Sequence, residues 1–251
     1  SAAAEQADLP PPLFEAKVTE IAALVAQQRN PTLLALEAEA ARRGLPCFWD
    51  DERGARGAGG RGQHWLRADL PAVAQVRWSE LGTLPIALVT GTNGKTTTAR
   101  LIARMVRSSG RVAGCTSTDG ISVDETFIER GDCSGPFAAR TLLRRPEVEV
   151  AVLETARGGI LRRGLAVERC DAALITNVSD DHLGSYGIDD VAAMARVKAV
   201  GGQAVKPEGR VVLNADDPRL VALAPEFAAT VVYFSLDPQN ERFRAHVAAG
   251  G

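Results

Sequence analysis

The sequence predicts an α/β fold in which helices flank a mostly parallel sheet, preceded by a small, mainly helical N-terminal region. From residue 84 onward, apolar strand-like runs alternate with helix-like segments. The runs are almost continuously apolar, which is typical of parallel strands that are buried on both faces. We expect a domain boundary near residue 80. The predicted divisions are 1–80, 81–240 and 241–251, the last being the start of a linker to a further domain.

The N-terminal region carries two helical patterns. Phe14–Gln28 repeats its apolar residues at helical spacing. Thr32–Arg43 follows, with Asn30 or Thr32 as the N-cap and a proline near its start. The next segment, 50–63, is dense in glycine, arginine and aspartate, and we expect an exposed loop or a hairpin tip there.

The central region alternates strands and helices. The predicted strands are Leu84–Val89, Val148–Leu153, Ala172–Thr176, Arg210–Leu213 and Thr230–Phe234. The predicted helices are Lys95–Ser109, Ala138–Arg144, Val191–Val205 and Pro218–Leu223. Polar side chains follow each of the first four strands. Because open α/β sheets bind ligands at the carboxyl ends of their strands, we expect these side chains to converge on one crevice, although the sequence does not reveal the strand order.

The first strand ends in a short loop, Thr90-Gly-Thr-Asn-Gly-Lys-Thr-Thr97. Its glycines let the backbone turn, Lys95 supplies a charge for phosphate oxygens, and the Thr96 hydroxyl can ligate Mg²⁺. The spacing is shorter than the general Gly-x-x-x-x-Gly-Lys pattern. A chance Gly-Lys-Thr in a turn is the alternative, but the strand before and the helix after favour a nucleoside triphosphate site. The candidate cofactor-binding residues of the loop are Gly91, Thr92, Asn93, Gly94, Lys95, Thr96 and Thr97.

The other strand ends carry further candidates. Glu154 follows the second strand as a possible Mg²⁺ ligand, or as a plain strand-end carboxylate. Asn177 and His182 follow the third strand, and a lone histidine is usually not a ligand. Asn214 and Asp217 follow the fourth, where Asp217 could simply cap a helix that begins with proline.

The charge balance excludes some classes of partner. The chain of 251 residues has 29 Lys and Arg against 31 Asp and Glu, which gives no basic field for nucleic acid. No apolar run reaches membrane-spanning length, and the N-terminus lacks the layout of a secretory signal. The four cysteines are scattered and form no Cys-x-x-Cys pair. We therefore expect a cytoplasmic protein with no nucleic-acid or membrane partner; a homo-oligomer is compatible with the sequence.

Four strings together resemble the Mur ligase superfamily of ATP-dependent amide-bond-forming enzymes. They are the loop 90–97, Leu153-Glu-Thr-Ala-Arg-Gly-Gly159, Asn177-Val-Ser-Asp-Asp-His182 and Leu213-Asn-Ala-Asp-Asp-Pro218. Further strings, among them Thr118-Asp-Gly120 and Gly131-Asp-Cys-Ser-Gly-Pro136, resemble the Mur-ligase module of the cyanophycin synthetases more narrowly. The resemblance spans about residues 75–250 and implies that ATP converts a substrate carboxylate to an acyl phosphate, which an amine then attacks.

The resemblance also implies roles for single residues. Lys95 would neutralise the β- and γ-phosphates, Thr96 would hold one Mg²⁺, and Glu154 with His182 would hold a second. Asn177 would orient the phosphates, and Asn214 with Asp217 would lie towards the nucleoside. Lys198 is a candidate catalytic residue if it is carbamylated, and otherwise an ordinary solvated helix lysine. The candidate substrate contacts are Asp119, Asp132, Ser134 and Arg157, with Arg162 and Arg163 as alternatives to Arg157.

The chain departs from these families at both ends. Residues 1–80 are too short for the ATP-grasp module of the cyanophycin synthetases, and the sequence stops where a closing C-terminal domain would begin. We therefore expect these residues alone to bind ATP weakly and to turn over little. The expected substrates are an amino acid, peptide or polyamide carboxylate and an amine. A phosphotransferase or nucleoside triphosphatase, and a non-catalytic nucleotide-binding module, remain open as alternatives.

Overall fold

A computed structural model describes residues 11–49, 53–57, 61–180, 184 and 187–251. The helices are α1 (Pro11–Gln28), α2 (Pro31–Arg42), α3 (Lys95–Ser108), α4 (Pro136–Leu143), α5 (Arg157–Arg163), α6 (Val191–Gln203), α7 (Pro218–Leu223) and α8 (Glu241–Ala248). The strands are β1 (Cys47–Trp49), β2 (Arg53–Arg56), β3 (Gln63–Leu66), β4 (Ile86–Thr90), β5 (Ala113–Ser117), β6 (Gly120–Val123), β7 (Thr126–Arg130), β8 (Val150–Glu154), β9 (Cys170–Ile175), β10 (Val205–Asn214) and β11 (Thr230–Phe234).

The central sheet confirms the predicted fold class. Its strand order is β11-β10-β9-β4-β8-β5-β6-β7. The six strands from β11 to β5 are parallel to one another, whereas β6 pairs antiparallel with β5 and β7 pairs antiparallel with β6. The first strand of this region, β4, lies between β8 and β9, with β10 next to β9. The four strand ends that carry polar groups are therefore neighbours at one edge of the sheet.

Helices cover both faces of this sheet. Neighbouring residues of one strand therefore pack in different cores. In β4, Leu88 belongs to the large core beneath α4, α6 and α7, whereas Val89 belongs to a smaller core beneath α3. Ala99 and Ala103 of α3 pack in that smaller core. Alternation of this kind is what a strand buried on both faces requires.

The strands β5, β6 and β7 were not predicted, because they lack an apolar run. Although every residue of β5 is buried, its sequence is Ala-Gly-Cys-Thr-Ser. A Cβ on Gly114 would lie 2.9 Å from side-chain carbons of Leu142 and Val148, so a larger residue does not fit there. Small residues thus allow α4 to pack closely on this part of the sheet.

The N-terminal region is less helical than the sequence predicts. Both predicted helices are present, and Asn30, rather than Thr32, caps α2 by accepting a hydrogen bond from the Leu33 amide at 3.0 Å. However, β1, β2 and β3 form an antiparallel sheet. Residues 53–56 are its middle strand, so the expected loop or hairpin tip at 50–63 contains a strand. Phe48 of β1 joins the central core and ties the two regions together.

The end of the chain folds back onto the sheet. Helix α8 contacts β11, and the His246 ring meets the Tyr233 ring edge-on at 5.6 Å between centroids. Asn240 caps α8 by accepting a hydrogen bond from the Phe243 amide. Across the described ranges, no helix combines the length and the hydropathy needed to cross a membrane.

Candidate active site

The loop between β4 and α3 has a backbone that only glycine can adopt at one position. Gly91 has φ +148°, and a Cβ built on it would lie 1.8 Å from Oγ1 of Thr176. Gly94, with φ +82°, immediately precedes α3. The two glycines therefore set the turn that brings Lys95, Thr96 and Thr97 into the first turn of α3.

The segment after β9 holds this loop by backbone and amide groups. The Thr92 amide donates to the Asn177 carbonyl at 2.9 Å, and the Asn93 amide donates to Asn177 Oδ1 at 3.0 Å. The Asn177 side-chain amide donates in turn to the Asn93 carbonyl at 3.1 Å. The amides of Thr92 and Asn93 are therefore engaged within the protein, whereas the first N–H groups of α3 have no intrahelical acceptor. Contacts of these residues with phosphate stay a prediction.

Two lysines reach the loop from different helices. Lys95 Nζ donates to the Thr92 carbonyl at 2.8 Å. Lys198 of α6 is 3% exposed, and its Nζ donates to the Gly91 carbonyl at 2.8 Å. The alternative reading of Lys198 as an ordinary solvated lysine is therefore wrong, and its carbamylation stays a prediction.

Glu154, at the end of β8, is a buried carboxylate with one satisfied and one unsatisfied oxygen. It is 2% exposed, and its Oε2 accepts hydrogen bonds from Thr96 Oγ1 at 2.8 Å and from the Thr118 amide at 3.2 Å. Its Oε1 has no hydrogen-bond partner within the described part of the chain. A buried charge of this kind is costly unless a cation or donor meets it.

These donors fit a divalent cation. A carboxylate oxygen and a hydroxyl are ligand types that Mg²⁺ accepts, and the Thr96 hydroxyl lies within hydrogen-bond distance of Glu154. A second hydroxyl lies close by, because Thr118 Oγ1 is 2.9 Å from Thr96 Oγ1. The described residues contain no cluster of three His, Cys, Asp or Glu side chains. The predicted ligand His182 lies outside the described residues, as does its neighbour Asp181.

A cavity of about 660 Å³ opens beside the loop. Lys95 and Lys198 line it on the loop side. Three of the predicted substrate contacts, Asp132, Ser134 and Arg157, also line it, together with the alternatives Arg162 and Arg163. The structure thus brings the nucleotide loop and most of the candidate substrate residues to one space.

The lining loop before α4 is ordered by its own polar groups. Asp132 Oδ1 accepts hydrogen bonds from the Ser134 hydroxyl at 2.6 Å and from the Ser134 amide at 3.2 Å. Ser134 is 5% exposed, and its carbonyl accepts from the Ala156 amide just before α5. This chain of contacts fixes the loop against the helix that carries Arg157.

Other candidates lie away from this cavity. Asp119 is exposed, does not line it, and forms an ion pair with Arg100 at 3.1 Å. Asp217 is 7% exposed; its Oδ1 caps α7 through the Arg219 amide, and its Oδ2 accepts from the Val178 amide at 2.8 Å. Asn214 Oδ1 accepts from the Asp216 amide at 2.9 Å. These contacts match the helix-cap interpretation of Asp217, and its role towards a nucleoside stays a prediction.

Several residues of the site were not among the candidates, and Thr118, Glu129 and Thr176 are polar examples. Thr118 and Glu129 line the cavity, and Thr176 contacts the nucleotide loop from β9. Thr118 stood in one of the strings that carry the family resemblance, which was a usable signal. Thr176 counted as the last residue of a strand, and nothing in its local pattern distinguishes it.

The negative charge of Glu154 affects the pKa of a cysteine in a neighbouring strand. Burial, and after it the negative charge of Glu154, raise the pKa of the Cys115 thiol in β5 to about 12. A thiol in such a place stays protonated at neutral pH and is a poor nucleophile. We therefore assign Cys115 no part in the chemistry of the site.

Comparison with known proteins agrees with the geometry. Residues 89–249 match the Mur ligase middle domain family. The chain is 52% identical over 168 residues to a cyanophycin synthetase of Synechocystis sp., covering 67% of this chain and 19% of that protein. It is 35% identical over 158 residues to a UDP-N-acetylmuramoylalanine–D-glutamate ligase of Chlorobium luteolum, covering 61% of this chain and 30% of that protein.

A solved structure shows the same fold. The structure of a UDP-N-acetylmuramoyl-L-alanyl-D-glutamate–2,6-diaminopimelate ligase superposes with a TM-score of 0.52 at 25% identity, covering 63% of this chain and 33% of that one. The chain spans about a fifth of the length of the cyanophycin synthetases that it matches. By the match over residues 89–249, the chain belongs to the Mur ligase middle domain family.

Proposed function

We propose that the protein acts in an ATP-dependent carboxylate–amine ligase that forms amide bonds through an acyl phosphate. The proposed substrates are the carboxylate of an amino acid, peptide or polyamide and an amine, with ATP and Mg²⁺ as cofactors, in the cytoplasm. The names of the relatives, which are ligases and synthetases, support this class of reaction. Because the chain spans only part of those relatives, the activity belongs to the whole protein.

One observation carries the proposal: Lys95 of the nucleotide loop and Arg157 line the same cavity. A lysine at this position of the loop is suited to the terminal phosphates of a nucleotide. An arginine can hold a carboxylate by two parallel hydrogen bonds. The space of about 660 Å³ between them can therefore hold a carboxylate beside the phosphate that it would attack.

The chemistry assigns a task to each of these residues. The substrate carboxylate attacks the γ-phosphorus and ADP leaves; the amine nitrogen then attacks the acyl carbon, and the tetrahedral intermediate loses phosphate and a proton. Arg157 would orient the carboxylate, and Lys95 would offset the charge that gathers on the phosphate oxygens. Thr96 and Glu154 would hold Mg²⁺, which supplies further neutralisation of phosphate charge.

The test is a phosphate-release assay of the whole protein with Mg·ATP across pairs of carboxylates and amines. We expect release that requires both substrates and that falls about 100-fold or more in Lys95→Ala, because the variant loses the cation that offsets charge on the transferred phosphate. Lys17→Ala is the matched control, since Lys17 pairs with Glu20 on the exposed helix α1. Phosphate release that ignores every amine would overturn the proposal and favour a nucleoside triphosphatase or a phosphotransferase.

Two finer points belong to the same proposal. Carbamylation of Lys198 would convert a buried amine, which donates to the Gly91 carbonyl, into a carbamate with a negative charge. Intact-mass measurement with and without bicarbonate tests it, with Lys198→Arg as the variant that cannot be carbamylated. Limited proteolysis tests the proposed divisions near residues 80 and 240, since cleavage concentrates where few contacts cross.

A further inference from the structure

The nucleotide loop is held from outside by the strand next to it. We propose that Thr176 is a positioning residue that locks the loop in its phosphate-binding shape. This inference rests on the proposed function only in taking the ligand of the loop to be a nucleotide phosphate. Thr176 and Asn177, which directly follow β9, make hydrogen bonds with the backbone of the loop at Thr92 and Asn93.

The Thr176 hydroxyl makes the shortest of the hydrogen bonds between the loop and the residues that follow β9. Its Oγ1 donates to the Asn93 carbonyl at 2.6 Å and lies 3.4 Å from the Thr90 carbonyl. The side chain is 8% exposed, and the Thr176 amide donates to the Thr90 carbonyl at 3.0 Å. Thr176 therefore continues the β4–β9 ladder by one residue and then crosses to the loop with its side chain.

The fit is steric as well as polar. The position that a Cβ on Gly91 would occupy lies 1.8 Å from Thr176 Oγ1 and 3.1 Å from Thr176 Cβ. The threonine thus occupies the volume that a side chain of the loop would need. Loop and strand end are complementary at this point, and Gly91 is required by Thr176 as much as by its own φ of +148°.

The consequence for phosphate binding follows from the planar peptide bond. The described residues contain no cis peptide, so the C=O of Asn93 and the N–H of Gly94 point in opposite directions. Thr176 Oγ1 and the Asn177 side-chain amide both hold that C=O on the β9 side. The Gly94 N–H is thereby kept on the other side of the loop, directly before the start of α3. A flipped peptide would present a carbonyl oxygen to the phosphate and repel it.

Thr176→Val tests this role, because valine keeps the shape of threonine and removes the hydroxyl. Thr176→Ser restores the hydroxyl. Thr116→Val is the matched control: Thr116 is a buried threonine in β5 whose Oγ1 has no hydrogen-bond partner within the described residues. Two quantities are measured on the whole protein: amide hydrogen exchange of residues 90–95 without nucleotide, and the affinity for Mg²⁺ with a non-hydrolysable ATP analogue.

We expect Thr176→Val to speed exchange of the loop and to weaken analogue binding, each about 5- to 10-fold, which corresponds to one lost hydrogen bond. Thr176→Ser should return both values to those of the parent protein, and Thr116→Val should change neither. The kcat at saturating nucleotide should fall less than the KM rises, because positioning is recovered once the phosphate is bound.

Each outcome decides between the two proposals. Unchanged loop exchange and unchanged affinity in Thr176→Val would overturn the positioning role and leave the proposed function standing. If the parent protein binds no analogue, the proposed function fails, and the exchange measurement still decides whether Thr176 holds the loop. Equal effects of Thr176→Val and Thr116→Val would show a general loss of packing and would also overturn the role of Thr176.

Discussion

The two strands that flank β4 end in opposite ways. On the β9 side, Thr176 and Asn177 bond to the loop, and Val178 is bonded to Asp217, so these polar groups are paired within the protein. On the β8 side, Glu154 is buried, yet its Oε1 has no partner in the described structure. The two sides thus have different tasks. Paired groups give the loop its shape, and the unpaired oxygen is free to meet a cation.

The largest expected effect comes from removing the charge on the β8 side. In Glu154→Gln, the amide oxygen can still accept from Thr96 and from the Thr118 amide, but the carboxylate charge is lost. We expect Mg²⁺-dependent amide formation to fall about 100- to 1,000-fold, because stabilisation of developing phosphate charge depends on a held cation. A Mg²⁺ titration of amine-dependent phosphate release measures it.

The control for this change is Glu125→Gln. Glu125 is an exposed carboxylate of the β6–β7 hairpin that pairs with Arg107. It should leave the Mg²⁺ titration unchanged. If Glu154→Gln kept the Mg²⁺ dependence of the parent protein, the unpaired oxygen would not be a cation ligand, and the contrast between the two sides would lose its chemical meaning.

The next largest effect is on stability and lies on the β9 side. Asp217→Ala removes the cap of α7 and leaves the buried Val178 amide without its acceptor. We expect the free energy of unfolding in urea to fall by about 3 kcal/mol, of which the cap contributes about 1 kcal/mol. Asp190→Ala removes only a cap, that of α6, and should cost about 1 kcal/mol. Equal losses in the two variants would show that the hydrogen bond from the Val178 amide to Asp217 does not stabilise the fold.

The sequence anticipated those parts of the fold that apolar runs encode. All five predicted strands of the central region are present. The clearest are β4 and β8, where Val, Leu, Ile and Ala fill strands that are almost completely buried. The strand β5 was not predicted, because close packing against Leu142 and Val148 requires small residues there. The strand β2 was likewise not predicted, because its sequence is short and rich in glycine and arginine.

The residues of the site also fall into those that the sequence could identify and those that it could not. The loop, Glu154 and Asn177 could be found because their residue types are unusual at a strand end. Thr176 could not, since a threonine at the end of a strand is ordinary, and its role depends on the pairing of β9 with β4. The order β9-β4-β8, which places Asn177 and Glu154 on opposite sides of one loop, is a tertiary property that no local pattern contains.

A smaller effect refines the β8 side. Thr118→Val removes the hydroxyl that lies 2.9 Å from Thr96 Oγ1 but keeps the backbone amide that bonds Glu154. The Mg²⁺ concentration for half-maximal activity should rise about 3- to 10-fold, as expected for one lost hydrogen bond. Thr118→Ser should restore the value of the parent protein. The same rise in both variants would mean that the hydroxyl is not involved.

The smallest expected effect concerns a property that the two sides share. Burial raises the pKa of Cys115, beside β8, and of Cys170, at the start of β9, to about 12 in each case. Both thiols are therefore protonated at pH 8, where alkylation needs a thiolate. Iodoacetamide at pH 8 should label neither in the folded protein and both after denaturation, as peptide mass spectrometry can show.

The same shift sets the sign of the pH dependence. The folded pKa of each thiol lies above the unfolded one, so its contribution to stability is complete below the unfolded pKa near 9.0 and is lost as the pH rises towards about 12. Unfolding in urea should thus become easier above pH 9, and less so in Cys115→Ala and Cys170→Ala. Labelling of Cys115 alone at pH 8 would show that the β8 side is open to water along its strands. Protection of both confines the difference between the two sides to the strand ends, where Glu154 and Thr176 lie.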